Sequence, residues 1–237
     1  REAVILRRLL GRHRGALPPQ AIMRIWRELF SAALMIEGDL TIAVADGPQM
    51  DITSLAREHF GPLTPLRRHP TPAQAMADLT SAAAQVAVLP LPSPADDAAG
   101  SWWIGLMQCG APRLQIVARL PFWARRPEGT PQAGAYVVGA LEPDASGADR
   151  SLLGLEIAAD ASTAKVTAAL KEAGFSVGSL LQRRLPRQET AYALADVEGL
   201  VSRSDPRLAA IAGLASKPEL LGGYAVPFPP GEMAEPA

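Results

Sequence analysis

The residues best suited to chemistry lie near the start of the chain, in segments with helical patterns. Arg1 and Glu2 open the chain, and Ala33 and Glu37 are four residues apart. Positions i and i+4 lie on one face of a helix, so Glu37 would place its carboxyl group beside a small side chain. A guanidinium can hold a ligand carboxylate, whereas a carboxyl group donates a hydrogen bond only when a raised pKa keeps it protonated. From spacing alone, a solvated helix face is the simpler interpretation of these charges.

Residues 1–37 are predicted to form two helices. An apolar stripe runs through residues 4–10, and Pro18 and Pro19 suit the first turn of a second helix that Gly38 ends. The second stripe has spacings of 3, 4, 4 and 3 and consists of Ile22, Ile25, Leu29, Ala33 and Ile36. Two helices of this size need further helices, from upstream or from a partner chain, to form a stable domain.

The composition excludes several classes of function. The 237 residues carry a formal net charge of −1, so no basic surface for nucleic acid or anionic lipid is expected. The single cysteine, Cys109, excludes a disulfide framework and fits a reducing compartment. No apolar run reaches the roughly 20 residues of a membrane span. We therefore expect a cytoplasmic protein with no nucleic-acid partner and no membrane partner.

From residue 40 the pattern changes to strands that alternate with helices, which predicts an α/β layer with a mostly parallel sheet. Its predicted strands are 40–44, 85–91, 114–119 and 135–139, and its predicted helices are 53–60 and 72–83. A short polar stretch at 142–149 is the best domain boundary. Beyond it, strand 151–157, helix 162–173, strands 177–185 and 190–197, helix 206–214 and strand 221–226 give the β-α-β-β-α-β order of a ferredoxin-like domain.

Other reactive residue types lack a supporting pattern. His13, His59 and His69 are not at metal-ligand spacing, and His59 is predicted to be a helix cap or a surface residue. Cys109 is predicted to be a structural thiol. The chain contains no phosphate loop, no nucleophile elbow and no dinucleotide fingerprint. We expect no metal and no cofactor.

The order of these units resembles the bacterial fusion of chorismate mutase, prephenate dehydratase and an ACT domain. Residues 1–9, Arg-Glu-Ala-Val-Ile-Leu-Arg-Arg-Leu, are similar to the second helix of the all-helical mutases, and residues 22–37 to their third helix. The resemblance implies that Arg1 holds the substrate anion, Glu2 contacts its hydroxyl group, and Glu37 faces the ether oxygen that breaks. Ala33 falls where the family often has a Ser. The Claisen rearrangement needs cations and aimed hydrogen-bond donors, and it needs no nucleophile or general base.

Residues 42–140 resemble the dehydratase domain, but with altered motifs. The segment 47–51 stands at the family's Gly-Pro opening, and Leu-Pro-Leu-Pro-Ser-Pro at 89–94 replaces its Leu-Pro-Ile-Glu-Asn-Ser. Gly-Ala-Tyr at 134–136 replaces its catalytic Thr-Arg-Phe. The lost groups predict a degenerate dehydratase, because acid-assisted loss of water and carbon dioxide needs a proton donor and a cation.

The last segment resembles an ACT domain through Gly-Phe-Ser-Val at 174–177, Gln-Arg-Arg-Leu-Pro at 182–186 and Leu-Gly-Gly-Tyr at 221–224. Ser-Thr-Ala-Lys at 162–165 replaces the Gly-Ala-Leu-Val of the family's phenylalanine site. This substitution predicts a scaffold or dimerisation role instead of phenylalanine sensing.

The resemblance predicts a multidomain α+β and α/β protein. Its parts would be a partial helical mutase domain (1–38), a periplasmic-binding-like α/β domain (39–147), a ferredoxin-like ACT domain (148–226) and a flexible tail (227–237). The expected function is that of a chorismate mutase, an isomerase that converts chorismate to prephenate as a homodimer. The alternatives are a prephenate dehydratase and a non-catalytic protein that binds an aromatic metabolite. The missing first mutase helix predicts an N-terminally truncated chain with weak or no activity.

Overall fold

A computed structural model describes residues 1–47, 51–96, 100–123, 133–185 and 189–228, without the side chains of residues 216 and 217. Both predicted N-terminal helices are present, as α1 (Glu2–Arg12) and α2 (Pro19–Glu37). Pro19 occupies the first turn of α2 and Gly38 follows its last residue. Arg7 fixes α1 to the rest of the chain, since its guanidinium donates to the carbonyl oxygens of Ser146, Ala148 and Val226 at 2.7–3.0 Å.

The buried face of α2 is the opposite of the one that the apolar stripe predicted. Met23, Arg27 and Ser31 are buried, whereas Ile25 and Leu29 are half exposed and Ile36 is 86% exposed. The prediction was wrong because the structure around α2 provides hydrogen-bond partners for the polar side chains of its buried face. Ser31 donates to the carbonyl oxygen of Phe60, and Arg27 forms an ion pair with Glu2. The apolar stripe therefore faces outward.

The next part of the chain forms a five-stranded layer. Its elements are β1 (Ile42–Ala45), α3 (Ile52–Phe60), β2 (Leu66–His69), α4 (Pro72–Thr80), β3 (Val86–Pro90), α5 (Trp103–Gln108), β4 (Gln115–Leu120) and β5 (Ala135–Gly139). The strand order is β2-β1-β3-β5-β4. β1 is parallel to β2 and β3, but β5 is antiparallel to β3 and β4, so the sheet is mixed and not mostly parallel.

The third part has the predicted β-α-β-β-α-β order. Its elements are β6 (Asp149–Ala158), α6 (Thr163–Glu172), β7 (Val177–Arg184), β8 (Thr190–Glu198), α7 (Pro206–Ala210) and β9 (Ala215–Ala225). The strands are antiparallel in the order β9-β6-β8-β7. The domain boundary predicted at 147/148 falls in the connection between β5 and β6.

The two layers join in one nine-stranded sheet through β4 and β9, which meet at the single pair Ile116 and Gly222. Gly222 has a φ of 120°, and a Cβ there would lie 2.6 Å from the backbone nitrogen of Ile116. Only glycine permits this approach. The main hydrophobic core continues across the junction, because Trp103 and Tyr136 of the first layer share it with Leu152 and Tyr224 of the second.

Candidate functional site

A pocket of about 360 Å³ lies between the two N-terminal helices and one face of the first layer. Its walls combine charged residues from α1 and α2 and a histidine from α3 with apolar residues. The apolar part includes Leu34, Phe60, Val117, Phe122 and Val137. Such a mixture of apolar walls and few polar groups is typical of small-molecule sites.

Arg27 is the most buried charged group of this pocket. Its side chain is 9% exposed, and its Nη1 donates to Oε2 of Glu2 at 2.5 Å. The guanidinium also lies 5.6 Å from the ring centre of Phe122, a distance that suits a cation–π contact. Burial lowers the pKa of Arg27, while the charge of Glu2 opposes that shift. Arg27 stays protonated, and Glu2 from α1 is its counter-ion.

His59 forms the pocket wall next to Arg27. It lies in the last turn of α3, with its Nε2 3.4 Å from Nη1 of Arg27. Burial and the charge of Arg27 lower the pKa of His59 well below 6.5, so its imidazole is neutral at pH 7. The prediction of a cap or surface role was therefore wrong, because α2 and the sheet cover this end of α3.

Arg119 of β4 is also among the lining residues, but its guanidinium lies on the opposite face of the sheet, against Tyr224. Its Nη1 donates to Oη of Tyr224 at 3.2 Å, and the guanidinium lies 5.7 Å from the centre of that ring. Among the described residues, no carboxylate forms an ion pair with Arg119. The rim also carries negative charge from Glu142 and Asp144, so the buried positive charge of the pocket is that of Arg27.

The structure brings two of the four predicted site residues to the pocket. Glu2 lines it, and Arg1 lies at its rim with its terminal ammonium 3.4 Å from Asp144. Ala33 and Glu37 are exposed on α2 and are outside the described lining. The catalytic and binding roles assigned to Arg1, Glu2, Ala33 and Glu37 stay predictions.

One position of the altered dehydratase motifs lies beside Arg119, because Tyr136 of β5 is its cross-strand partner. Ala135 and Tyr136 are buried in β5, and a Cβ at Gly134 would meet Leu91. Desolvation raises the pKa of Tyr136 above its usual range. Pro48–Met50 of the Gly-Pro segment and Pro186 of the last segment lie outside the described residues. The described motif positions contribute to packing.

Sequence reasoning missed Arg27 and Arg119. A signal existed for Arg27, since it lies four residues from Met23 and from Ser31 and so shares their buried face. Arg119 stands near the end of a short apolar strand, and nothing in its local pattern distinguishes it from an edge charge. Arg27 supplies the pocket with a buried cation from α2, outside the dehydratase-like segment, whereas Arg119 lies within that segment.

The pocket can therefore hold an anionic group through the guanidinium of Arg27 in a partly desolvated space. His59 adds a neutral imidazole beside Arg27, which can donate or accept a hydrogen bond depending on its tautomer. No cluster of metal-binding side chains occurs in the described ranges. Within the same ranges, no helix has the length and apolar character needed to cross a bilayer.

No protein-family model matches the chain. A curated relative, the bifunctional chorismate mutase/prephenate dehydratase of Neisseria gonorrhoeae (strain ATCC 700825 / FA 1090), is 42% identical over 62 residues. Those residues are 26% of this chain and span only 17% of the relative's length.

Several solved structures share the fold across most of the chain. GqqA, described as a novel type of quorum quenching acylase, is 21% identical, with a TM-score of 0.57 over 81% of this chain and 97% of its own. Prephenate dehydratase from Arthrobacter aurescens, solved with L-Phe, is 12% identical, with a TM-score of 0.57 over 82% and 93%. The Streptococcus mutans prephenate dehydratase is 14% identical, with a TM-score of 0.54 over 78% and 97%. The chain thus has a mixed α/β fold that resembles prephenate dehydratases.

Proposed function

We propose that the chain binds prephenate in this pocket and acts as a prephenate dehydratase. The observation that carries the proposal is the buried Arg27, set in a partly apolar pocket on a dehydratase-like fold. Prephenate has two carboxylates, and buried guanidiniums are suited to hold carboxylates. The sequence predicted a degenerate dehydratase because neither a proton donor nor a cation was found; Arg27 answers the second objection, and His59 is proposed to answer the first.

In the proposed reaction Arg27 holds a carboxylate of the substrate. The bond from the ring to its carboxylate breaks, carbon dioxide leaves, and the electron pair expels the ring hydroxyl. A proton converts this hydroxyl to water, so the products are phenylpyruvate, carbon dioxide and water. His59 is the proposed donor of that proton. Because burial lowers its pKa well below 6.5, the imidazolium form is populated only in acid, and the rate should rise as the solution becomes more acidic.

The test is to incubate the purified chain with prephenate and to measure phenylpyruvate at pH 5 to 8. Arg27→Met should abolish the activity, and His59→Gln should remove its rise in acid. Arg24→Met changes an exposed arginine on the same helix and is the matched control. Equal rates for Arg27→Met and Arg24→Met would exclude the pocket as the site.

A second candidate is chorismate mutase, which the ion pair between Glu2 and Arg27 favours. The pair joins α1 to α2 in a pocket with guanidiniums, and the Claisen rearrangement requires no proton donor. The curated relative carries a mutase name as well. Consumption of chorismate with no rise in acid would identify this activity. If Glu37 faces the ether oxygen, mutase activity should fall as the pH rises and Glu37→Gln should flatten the profile.

The third part of the chain is proposed to be an ACT-like scaffold, which its β-α-β-β-α-β order supports. If neither product forms, calorimetry with prephenate, phenylalanine and tyrosine tests the remaining alternative, a non-catalytic binding protein. Binding without turnover would support that alternative, and no binding of any of the three would exclude it.

A further inference from the structure

A second cavity lies on the outer side of the helical hairpin that α1 and α2 form. It has a volume of about 500 Å³, within the range of small-molecule sites. None of its described lining residues belongs to the first pocket. The lining consists of Ile5, Arg8, Leu9, Arg12, His13 and Ile22, and we call this cavity the hairpin groove.

The floor of the hairpin groove is aliphatic. Ile5 and Leu9 are four residues apart and share one face of α1, whereas the fully buried Leu6 and Leu10 turn toward the core. Ile22 of α2 completes the floor from the other helix. Ile5 is 37% exposed, and Leu9 and Ile22 are partly exposed. An apolar chain laid on this floor would remove aliphatic surface from water.

The polar part of the lining carries positive charge. Arg8 and Arg12 are also four residues apart, so their charges lie on one face of α1 and repel each other. Neither forms an ion pair within the part of the chain that the structure describes. The described lining also contains no carboxylate that could neutralise them. A ligand carboxylate would supply the missing negative charge, and guanidiniums match its geometry.

His13 connects the end of α1 to the chain that leads into α2. Its Nε2 lies 2.7 Å from the carbonyl oxygen of Leu17. Because a carbonyl only accepts, this ring nitrogen carries a proton and donates it. The contact holds the turn of the hairpin in place beside the groove, so a ligand has less of the wall to order when it binds.

We propose that the hairpin groove binds a free aliphatic carboxylate, with its chain on Ile5, Leu9 and Ile22 and its charged group at Arg8 and Arg12. A concave site between two helices admits a single chain, whereas a bilayer presents a flat surface. The net charge of −1 also gives the protein no general attraction to an anionic membrane. The inference is independent of the proposed function, because the two cavities share no described lining residue.

The first test measures binding of hexanoate, octanoate and decanoate by calorimetry, far below the concentrations at which they form micelles. If the chain lies on the aliphatic floor, each added CH₂ group should lower the Kd about 2- to 4-fold. Octylamine has the same chain as octanoate with the opposite charge, and its Kd should be at least about 10-fold higher. Equal Kd values for octanoate and octylamine would overturn the role of the arginines.

The second test uses variants of the lining and octanoate as the ligand. Arg8→Gln and Arg12→Gln should each raise the Kd about 5- to 20-fold, as expected for a lost hydrogen bond between charged groups. Ile5→Thr keeps a branched side chain and should weaken the dependence on chain length. Arg203→Gln changes an exposed arginine of the third part of the chain and is the matched control, which should leave the Kd unchanged.

Arg27→Met separates the two cavities, since it alters only the first pocket. It should leave octanoate binding unchanged, and a loss of binding would place octanoate in the first pocket and overturn the proposal. Unchanged Kd values in both Arg8→Gln and Arg12→Gln would overturn it as well. So would sedimentation with phosphatidylglycerol vesicles when octanoate itself does not bind, because the arginines would then serve a membrane surface.

Discussion

The ion pair between Glu2 and Arg27 should respond very differently to the loss of each partner. Glu2→Gln leaves the Arg27 guanidinium buried without its counter-ion, whereas Arg27→Met leaves the Glu2 carboxylate, which can rotate toward the solvent. The exposed fractions are 9% for the Arg27 side chain and 39% for the Glu2 side chain. The stability cost should therefore be larger when the more exposed residue is the one replaced.

The magnitude follows from burial. Removing one partner of a fully buried pair costs roughly 3–5 kcal/mol. Since the carboxylate of Glu2 is partly solvated, and Nε2 of His59 lies close enough to accept from Arg27, about 2 kcal/mol is expected for Glu2→Gln. For a chain of this size that corresponds to a Tm lower by about 4–8 °C. Arg27→Met should cost about 1 kcal/mol or less.

Thermal unfolding of both variants, with and without malonate, tests this reasoning. In the unaltered chain, Glu2 competes with malonate for the guanidinium of Arg27. This competition is absent in Glu2→Gln, so malonate should raise the Tm of that variant more than the Tm of the unaltered chain. Glu28→Gln, an exposed glutamate on α2, is the control. The reasoning is refuted if Arg27→Met is the less stable of the two variants, or if malonate stabilises Glu2→Gln no more than Glu28→Gln.

Three further outcomes are expected. Because the folded-state pKa of His59 is lowered, the unfolded chain takes up a proton at His59 at a higher pH than the folded chain does. The free energy of unfolding should therefore decrease as the pH falls below 6.5, by up to about 1.4 kcal/mol per pH unit. Urea titrations of His59→Gln should show a shallower decrease, and a slope identical to that of the unaltered chain would contradict the burial argument. Gly222→Ala should lower the free energy of unfolding by more than about 3 kcal/mol or prevent folding, since its Cβ would collide with the backbone of Ile116. Thermal melts followed by circular dichroism check this against Gly213→Ala, whose added Cβ would meet no atom within 4 Å. The exposed apolar stripe of α2 is expected to pack against a second copy of the chain in a homodimer. Ile36→Glu or Leu29→Glu should then halve the mass measured by light scattering. A monomeric unaltered chain would exclude this expectation.

The elements that depend on local periodicity were largely predictable from the sequence. Strand β5 has the predicted bounds, 135–139, and the β-α-β-β-α-β order was predicted in full. The strand β2 was missed because its charged Arg67 and Arg68 at the sheet edge give no apolar alternation. The six-residue helix α5 was missed because it is too short to show a helical period.

The site was less predictable because its residues come together only through long-range packing. Glu2, Arg27, His59 and Arg119 belong to four elements, and no sequence spacing relates them. The orientation of α2 had the same cause, since the choice between its two faces depends on partners such as the Phe60 carbonyl. Periodicity predicted that α2 is amphipathic, but not which face would be covered.

The junction at Ile116 and Gly222 also has a consequence for synthesis on the ribosome. In the sheet, β4 lies between β5 and β9. β5 follows β4 directly in the sequence, but β9 is the last strand of the described sheet to be synthesised. Until then one edge of β4 has no strand beside it, and bare edges are the part of a nascent sheet most prone to aggregate. Arg119 also lacks its hydrogen-bond partner Tyr224 until the same strand has been made. The sheet and this buried contact are therefore completed together, after translation has passed residue 225.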